Sequence, residues 1–220
     1  MDTLSKLLPS LLQGLEVTVW ITLASTLIGA VLSFAAGIAK ISRSRALRLL
    51  AGLYIEVFRG TSLLVQLFWL YYALPVIGLR LSPEVAGVAG LSLNIGAYGA
   101  EVVRGAILAV DPGQYEAATA LNFTPRQTLW RVLLPQAVVE MMPTFGNLAI
   151  QNLKDSALVS LISLVDLTFK ADQLRNLTLK TVPILGLTLV LYFVLALAIA
   201  AGMRFLERRL ALAAGRGEAR

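Results

Sequence analysis

Residues 111–137 read DPGQYEAATALNFTPRQTLWRVLLPQA, a polar interruption between long apolar stretches. Asp111 stands where a helix N-cap belongs, with Pro112 at the first helical position and Gln114 placed to complete a capping box. The helix so started runs through Glu116, Ala117 and Ala118 and stops near Asn122, the residue type after glycine most tolerant of a left-handed turn. Thr124-Pro125-Arg126-Gln127 then repeats the signal: cap, proline, glutamine. Two start signals so close together predict two short helices joined by a tight turn. Ala117 and Ala118 leave one face of the first helix nearly bare, with Glu116 beside them as a lone carboxylate. Local chemistry leaves two readings open: a docking element, or a solvated loop.

What flanks this segment is apolar. The chain of 220 residues is 57% hydrophobic and 15% charged, with mean hydropathy +0.76; a soluble domain carries about 25% charged residues. The apolar residues fall in blocks, Val17–Ala39, Leu63–Leu79 and Val182–Phe205 among them, and blocks of about 20 residues match a bilayer core. The sequence therefore predicts an all-α membrane protein of about five spans. These are roughly Leu15–Ala39, Ile55–Leu74, Val85–Ile107, Val132–Asn152 and Val182–Phe205. Ser156–Phe169, apolar but short, is expected as a re-entrant or packed segment.

The cations orient these spans. Lys40, Arg43, Arg45 and Arg48 close the first, Arg104 the third and Arg204, Arg208 and Arg209 the last, while Arg126 and Arg131 lie in the polar interruption. The positive-inside rule makes all of these cytoplasmic, putting the N-terminus outside and the C-terminus inside. Trp69, Tyr71 and Tyr72 would then be an outer aromatic belt. Met1–Gly14 does not read as a cleavable signal, and without repeats or linkers residues 1–220 read as one transmembrane domain.

The net charge of +6 does not indicate nucleic acid, because the arginines cluster beside the apolar blocks. The chain has no cysteine and no histidine, which removes thiolate chemistry and the commonest metal ligand and general base. No catalytic or metal site is expected. Polar residues within hydrocarbon are the candidates for a transport path. Asn147, Gln151, Lys154 and Asp155 follow at i, i+4, i+7 and i+8 along one face of the fourth span. They read either as zwitterion contacts or, for Lys154 and Asp155, as a gate ion pair or helix-end cap. Asn94 is a further pore candidate in the third span. Glu101–Arg104 and Glu56–Arg59 have the spacing of structural ion pairs, and Pro143 is expected to kink the fourth span.

The interruption resembles the EAA loop of binding-protein-dependent ABC transporter permeases. Glu116-Ala117-Ala118 matches its start and Val132-Leu133-Leu134-Pro135 its end, with Asn122 in place of the usual glycine. Residues 58–66 (FRGTSLLVQ), 97–105 (AYGAEVVRG) and 153–160 (LKDSALVS) resemble, in order, three further stretches of the polar amino-acid permeases, with Ser62 replacing a proline.

The resemblance implies a type I ABC importer permease (MetI-like) fold. It assigns Glu116, Ala117, Ala118, Asn122 and Pro135, within a coupling loop of about residues 111–135, to contact with a cytoplasmic ATPase. The implied partners are an ABC ATPase dimer, a second permease subunit (identical or homologous), and an extracellular or periplasmic solute-binding protein, in a bacterial inner membrane. No Gly-x-x-x-x-Gly-Lys-[Ser/Thr] loop is present, so ATP and magnesium are expected to act in the partner, with no cofactor in this chain. The implied cargo is a polar amino acid or similar zwitterion, or a compatible solute such as ectoine. The alternative is a secondary transporter or channel working without an ATPase.

Overall fold

A computed structural model describes residues 2–213. The tail at 214–220, at which the cytoplasmic C-terminus is expected, lies outside the described residues, as does Met1. Among the described residues every regular element is helical. The long helices are α1 (Asp2–Lys40), α2 (Arg45–Gly60), α4 (Pro83–Leu108), α7 (Leu134–Asp155) and α9 (Thr181–Ala213). Between them lie α3 (Leu63–Phe68), α5 (Pro112–Ala120), α6 (Pro125–Gln127) and α8 (Leu167–Thr178).

Two unbroken helices are long and apolar enough to cross a membrane, Leu8–Lys40 and Thr181–Leu212. Three bent pairs meet the same test, which makes five crossings if each pair crosses once. The expected second span is one of these pairs and not a straight helix. It breaks at Thr61 and Ser62, so that α2 and the continuation from Leu63 to Ile77 meet at 104°. Beyond α3 the chain passes through a π-helical turn, Trp69–Ala73, and a 3₁₀ turn, Leu74–Ile77, which reverses at Gly78 with φ 91°. The aromatic residues occupy the π turn. Tyr71 and Tyr72 pack edge to face at 4.9 Å, and the Tyr72 hydroxyl donates to Leu161 O at 3.1 Å.

Ser156–Phe169 is a packed segment. Ser156–Ile162 forms 3₁₀ turns ended by Ser163 in the left-handed region, and Val159, Ile162 and Leu164 are buried against Ile21, Leu67 and Leu91. Beyond the short apolar segment no helix is expected over Leu167–Thr178, yet Asp166 starts one there, its carboxylate accepting from Phe169 N at 2.8 Å. Pro143 sits inside α7, whose helix continues through it.

Small residues bring α1 against its neighbours. A Cβ on Gly37 would lie 2.7 Å from Ala100 O on α4, and one on Gly14 would lie 2.7 Å from Asp166 O. Backbone approach of this kind supplies dispersion contact where water gives no hydrophobic drive. Toward the hairpin end, Val103, Ile107, Ala137 and Met141 form a second buried cluster, with Phe34 and Phe145 stacked at 5.9 Å beside it. Much of the remaining apolar surface is exposed, including Leu189, Phe193 and Leu197 on α9, as expected of helices solvated by lipid or by other subunits.

Candidate functional site

The hairpin between α4 and α7 is built as its residues dictate, with two departures. Asp111 caps α5, its Oδ1 accepting from Gly113 N at 2.7 Å. Gln114 does not complete a capping box; its side-chain oxygen accepts from Gln136 Nε2 at 3.3 Å, tying α5 to α7. The chain turns through Asn122 in the left-handed region (φ 56°). At Thr124 the reciprocal box is complete: Thr124 Oγ1 accepts from Gln127 N at 3.3 Å and Gln127 Oε1 accepts from Thr124 N at 2.8 Å. A π-helical turn, Thr128–Leu133, leads into α7 near Pro135.

The second departure concerns the bare face. Ala118 is buried, while Glu116 and Ala117 are exposed beside Tyr115 and Leu121. The outward surface is therefore Glu116 and Ala117 between apolar side chains, Leu121 being 70% exposed.

Between the middle of α4, the far end of α7 and the α2–α3 break lies a cavity of about 390 Å³ lined by Thr61, Ser62, Asn94, Tyr98, Gln151, Asn152 and Asp155, with Leu63, Ile95 and Leu148. Asn94, Gln151 and Asp155, three of the five expected path residues, meet here. Gln151 Nε2 donates to Asp155 Oδ1 at 3.0 Å, which orients the one carboxylate in the lining. Lys154 faces a separate cleft with Tyr192, Phe193 and Ala196 of α9, and no ion pair joins it to Asp155 among the described residues. Asn147 is exposed nearer the hairpin and outside the lining.

The expected Glu101–Arg104 pair forms at 3.4 Å. Glu56 and Arg59 do not pair: Glu56 meets Lys40 at 3.8 Å, and Arg59 lies over the Tyr98 ring at 5.2 Å. Arg59 thus lies against Tyr98, which lines the cavity, without lining it itself.

Two amides at the cavity went unassigned in the sequence. Asn152, buried, donates through Nδ2 to Ser25 Oγ at 2.8 Å and Thr26 Oγ1 at 2.9 Å, holding α7 to α1. Its signal was on the partner helix, where Thr18, Thr22, Ser25 and Thr26 make a hydroxyl stripe at helical spacing in an apolar run. Gln66 joins the α2–α3 corner to Asn94; its signal was a lone amide in the apolar run that follows Ser62. Among the described residues no group of His, Cys, Asp and Glu side chains is arranged to hold a metal.

The sequence profile of the family described as "Binding-protein-dependent transport system inner membrane component" matches residues 25–212. A probable amino-acid ABC transporter permease protein of Sinorhizobium fredii is 59% identical over 201 residues, covering 89% of this chain and 84% of that protein. The glutamine transport system permease protein of Escherichia coli (strain K12) is 34% identical over 92% of this chain and 94% of its own length. The L-cystine transport system permease protein of Bacillus subtilis is likewise 34% identical, over 92% and 87%. Among solved structures, the crystal structure of an amino acid ABC transporter with histidines superposes with TM-score 0.87 at 37% identity, covering 94% of this chain and 97% of that one. An inward-facing MetNI methionine ABC transporter chain shares the fold at TM-score 0.77 and 21% identity, over 91% and 95%.

Proposed function

The chain belongs to the family of binding-protein-dependent transport system inner membrane components, and from that premise we propose how it carries its cargo. It is the permease subunit of an ABC importer, and a polar amino acid or similar zwitterion passes through the cavity beside Asp155. One observation carries this reading: the capped hairpin is inserted between α4 and α7, which line the cavity together with the α2–α3 corner. α4 runs from Asn94 and Tyr98 to Leu108, just before the Asp111 cap, and α7 returns from Pro135 to Gln151 and Asp155. A push on the hairpin therefore reaches both walls through rigid elements.

In this account the ATPase dimer grips Glu116, Ala117 and the apolar side chains beside them, with Asn122 and Pro135 holding the hairpin's shape. ATP and magnesium belong to that partner. A second permease subunit completes the path and an external binding protein delivers the cargo. The arginines at the hairpin end support a cytoplasmic hairpin and an outward N-terminus in a bacterial inner membrane. Transport then needs only that cargo and ATP favour different states of the path.

Asp155, oriented by Gln151, takes the ammonium of the cargo together with the free Oδ1 of Asn94, and the hydroxyl of the Arg59-backed Tyr98 donates to the cargo's carboxylate. The test is Asp155→Asn in the detergent-purified permease–ATPase complex without binding protein, read with labelled L-arginine, L-glutamine and L-glutamate. A hydrogen bond to a charged group is worth about 1.5–3 kcal/mol, so affinity for the bound amino acids falls about tenfold to hundredfold, with basal ATP hydrolysis near wild type. Unchanged affinity with raised hydrolysis would mean that Asp155 only latches a gate.

A further inference from the structure

A helix broken inside a bilayer leaves carbonyls that no water satisfies, so the protein must satisfy them itself. At the α2–α3 corner this is done by side chains. Thr61 Oγ1 donates to Val57 O at 2.7 Å. Gln66 Nε2 reaches back to Phe58 O at 2.9 Å, to Thr61 O at 3.2 Å and to Thr61 Oγ1 at 2.8 Å. Asn94 Nδ2, from α4, donates to the same Phe58 O at 3.1 Å and to Gln66 Oε1 at 3.3 Å. α3 itself starts with Gln66 N donating to Ser62 O at 3.0 Å.

Both amide hydrogens of Gln66 are thus committed to the corner, its oxygen is taken by Asn94, and it does not line the cavity. What it holds does line the cavity: Thr61, Ser62 and Leu63 on one wall, Asn94 on the other. Tyr54, whose hydroxyl donates to Leu93 O at 2.8 Å, fixes α2 to α4 on the near side of the corner. Beyond the break, Gln66 alone among the described residues ties α3 back to both α2 and α4 through side-chain hydrogen bonds.

We propose that Gln66 is a positioning residue for transport: it staples the 104° corner to Asn94 and so sets the spacing of the two cavity walls without touching the cargo. This rests on the cavity being the path. If walls and not contacts have moved, every cargo loses affinity by the same factor.

The experiment measures equilibrium binding of labelled L-arginine and L-glutamine to the detergent-purified permease–ATPase complex, and its thermal unfolding, for Gln66→Leu, Gln66→Glu, Asn94→Leu and the Gln66→Leu/Asn94→Leu double variant, with Asp155→Asn beside them. Gln66→Leu is expected to weaken both probes about tenfold and by the same factor, as a small misplacement of wall groups does. Gln66→Glu keeps the acceptor for Asn94, loses the donors and falls between. The double variant is no weaker than the weaker single variant, because both residues serve one corner.

A lowered unfolding temperature with unchanged affinity in Gln66→Leu would reduce the residue to a fold stabiliser and overturn the inference, while an altered Asp155→Asn leaves the cavity reading intact. Should Gln66→Leu not assemble, Gln66→Glu decides on the same criterion. Unchanged binding in every variant, Asp155→Asn included, overturns the cavity reading and the inference with it.

Discussion

Lys154 and Asp155 are adjacent in the chain, yet they face different sides of α7. Successive helical residues point about 100° apart, so a stripe that includes both i+7 and i+8 is wide. Asp155 shares its half of the stripe with Gln151 and lines the cavity, while Lys154 turns toward α9. Polar spacing could mark this region and could not say which half faced inward, because that depends on how α7 packs against α1 and α4. Asn122 shows the opposite case. Its left-handed backbone follows from a cap, a helix and a second cap with no room for more, all read from adjacent residues. Glycine adopts that conformation without the strain an L-residue carries there, about 1 kcal/mol. Asn122→Gly should therefore leave function intact and hold or slightly raise the unfolding temperature of the purified complex. Asn122→Ala, which lacks asparagine's local hydrogen bonding, should lower it by about 1 kcal/mol equivalent, and a raised unfolding temperature in Asn122→Ala would speak against the turn.

Among the elements, the hairpin's local signals were legible, while the Asp166 cap that starts α8 was passed over and the box expected at Gln114 does not form. The caps at Asp111 and Thr124, the turn between them and the ends of α4 all involve residues within a few positions of one another. The break at Thr61 and Ser62 had a local mark, the polar Arg59-Gly60-Thr61-Ser62 ahead of the apolar run from Leu63, but the expected span Ile55–Leu74 runs across it, and the groups that satisfy its carbonyls, Gln66 and Asn94 on another helix, show only in the packed structure. The Glu56–Arg59 pair failed for a similar reason: Lys40 and Tyr98, both distant in sequence, compete better for the two side chains. The hairpin yields the element's own prediction. Glu116 is exposed and supports nothing inside the chain, so Glu116→Lys should insert and fold normally. Reversing a charge buried against a partner costs about 2–5 kcal/mol; the ATPase should detach or turn over without uptake. Wild-type copurification and uptake by Glu116→Lys would remove the hairpin from the coupling path.

For the molecule as a whole, the all-helical class and the long apolar stretches were readable, since hydrocarbon thickness constrains every span in the same way, whereas α3 and α8 were not. Orientation rests on the arginines gathered at the hairpin end, and it is directly testable because the chain has no cysteine. Gly113→Cys should react with an impermeant thiol reagent only after the cells are opened, and Ser82→Cys in intact cells; the reverse pattern would invert the molecule. Uptake through this chain is proposed to be driven by ATP in a partner. The most direct measurement is accumulation of labelled amino acids in liposomes holding the permease, its ATPase and an internal ATP supply, with binding protein outside. Accumulation should stop when ATP, the ATPase or the binding protein is omitted, and proton and sodium gradients should not restore it. Accumulation driven by an ion gradient through the permease alone would contradict this proposal.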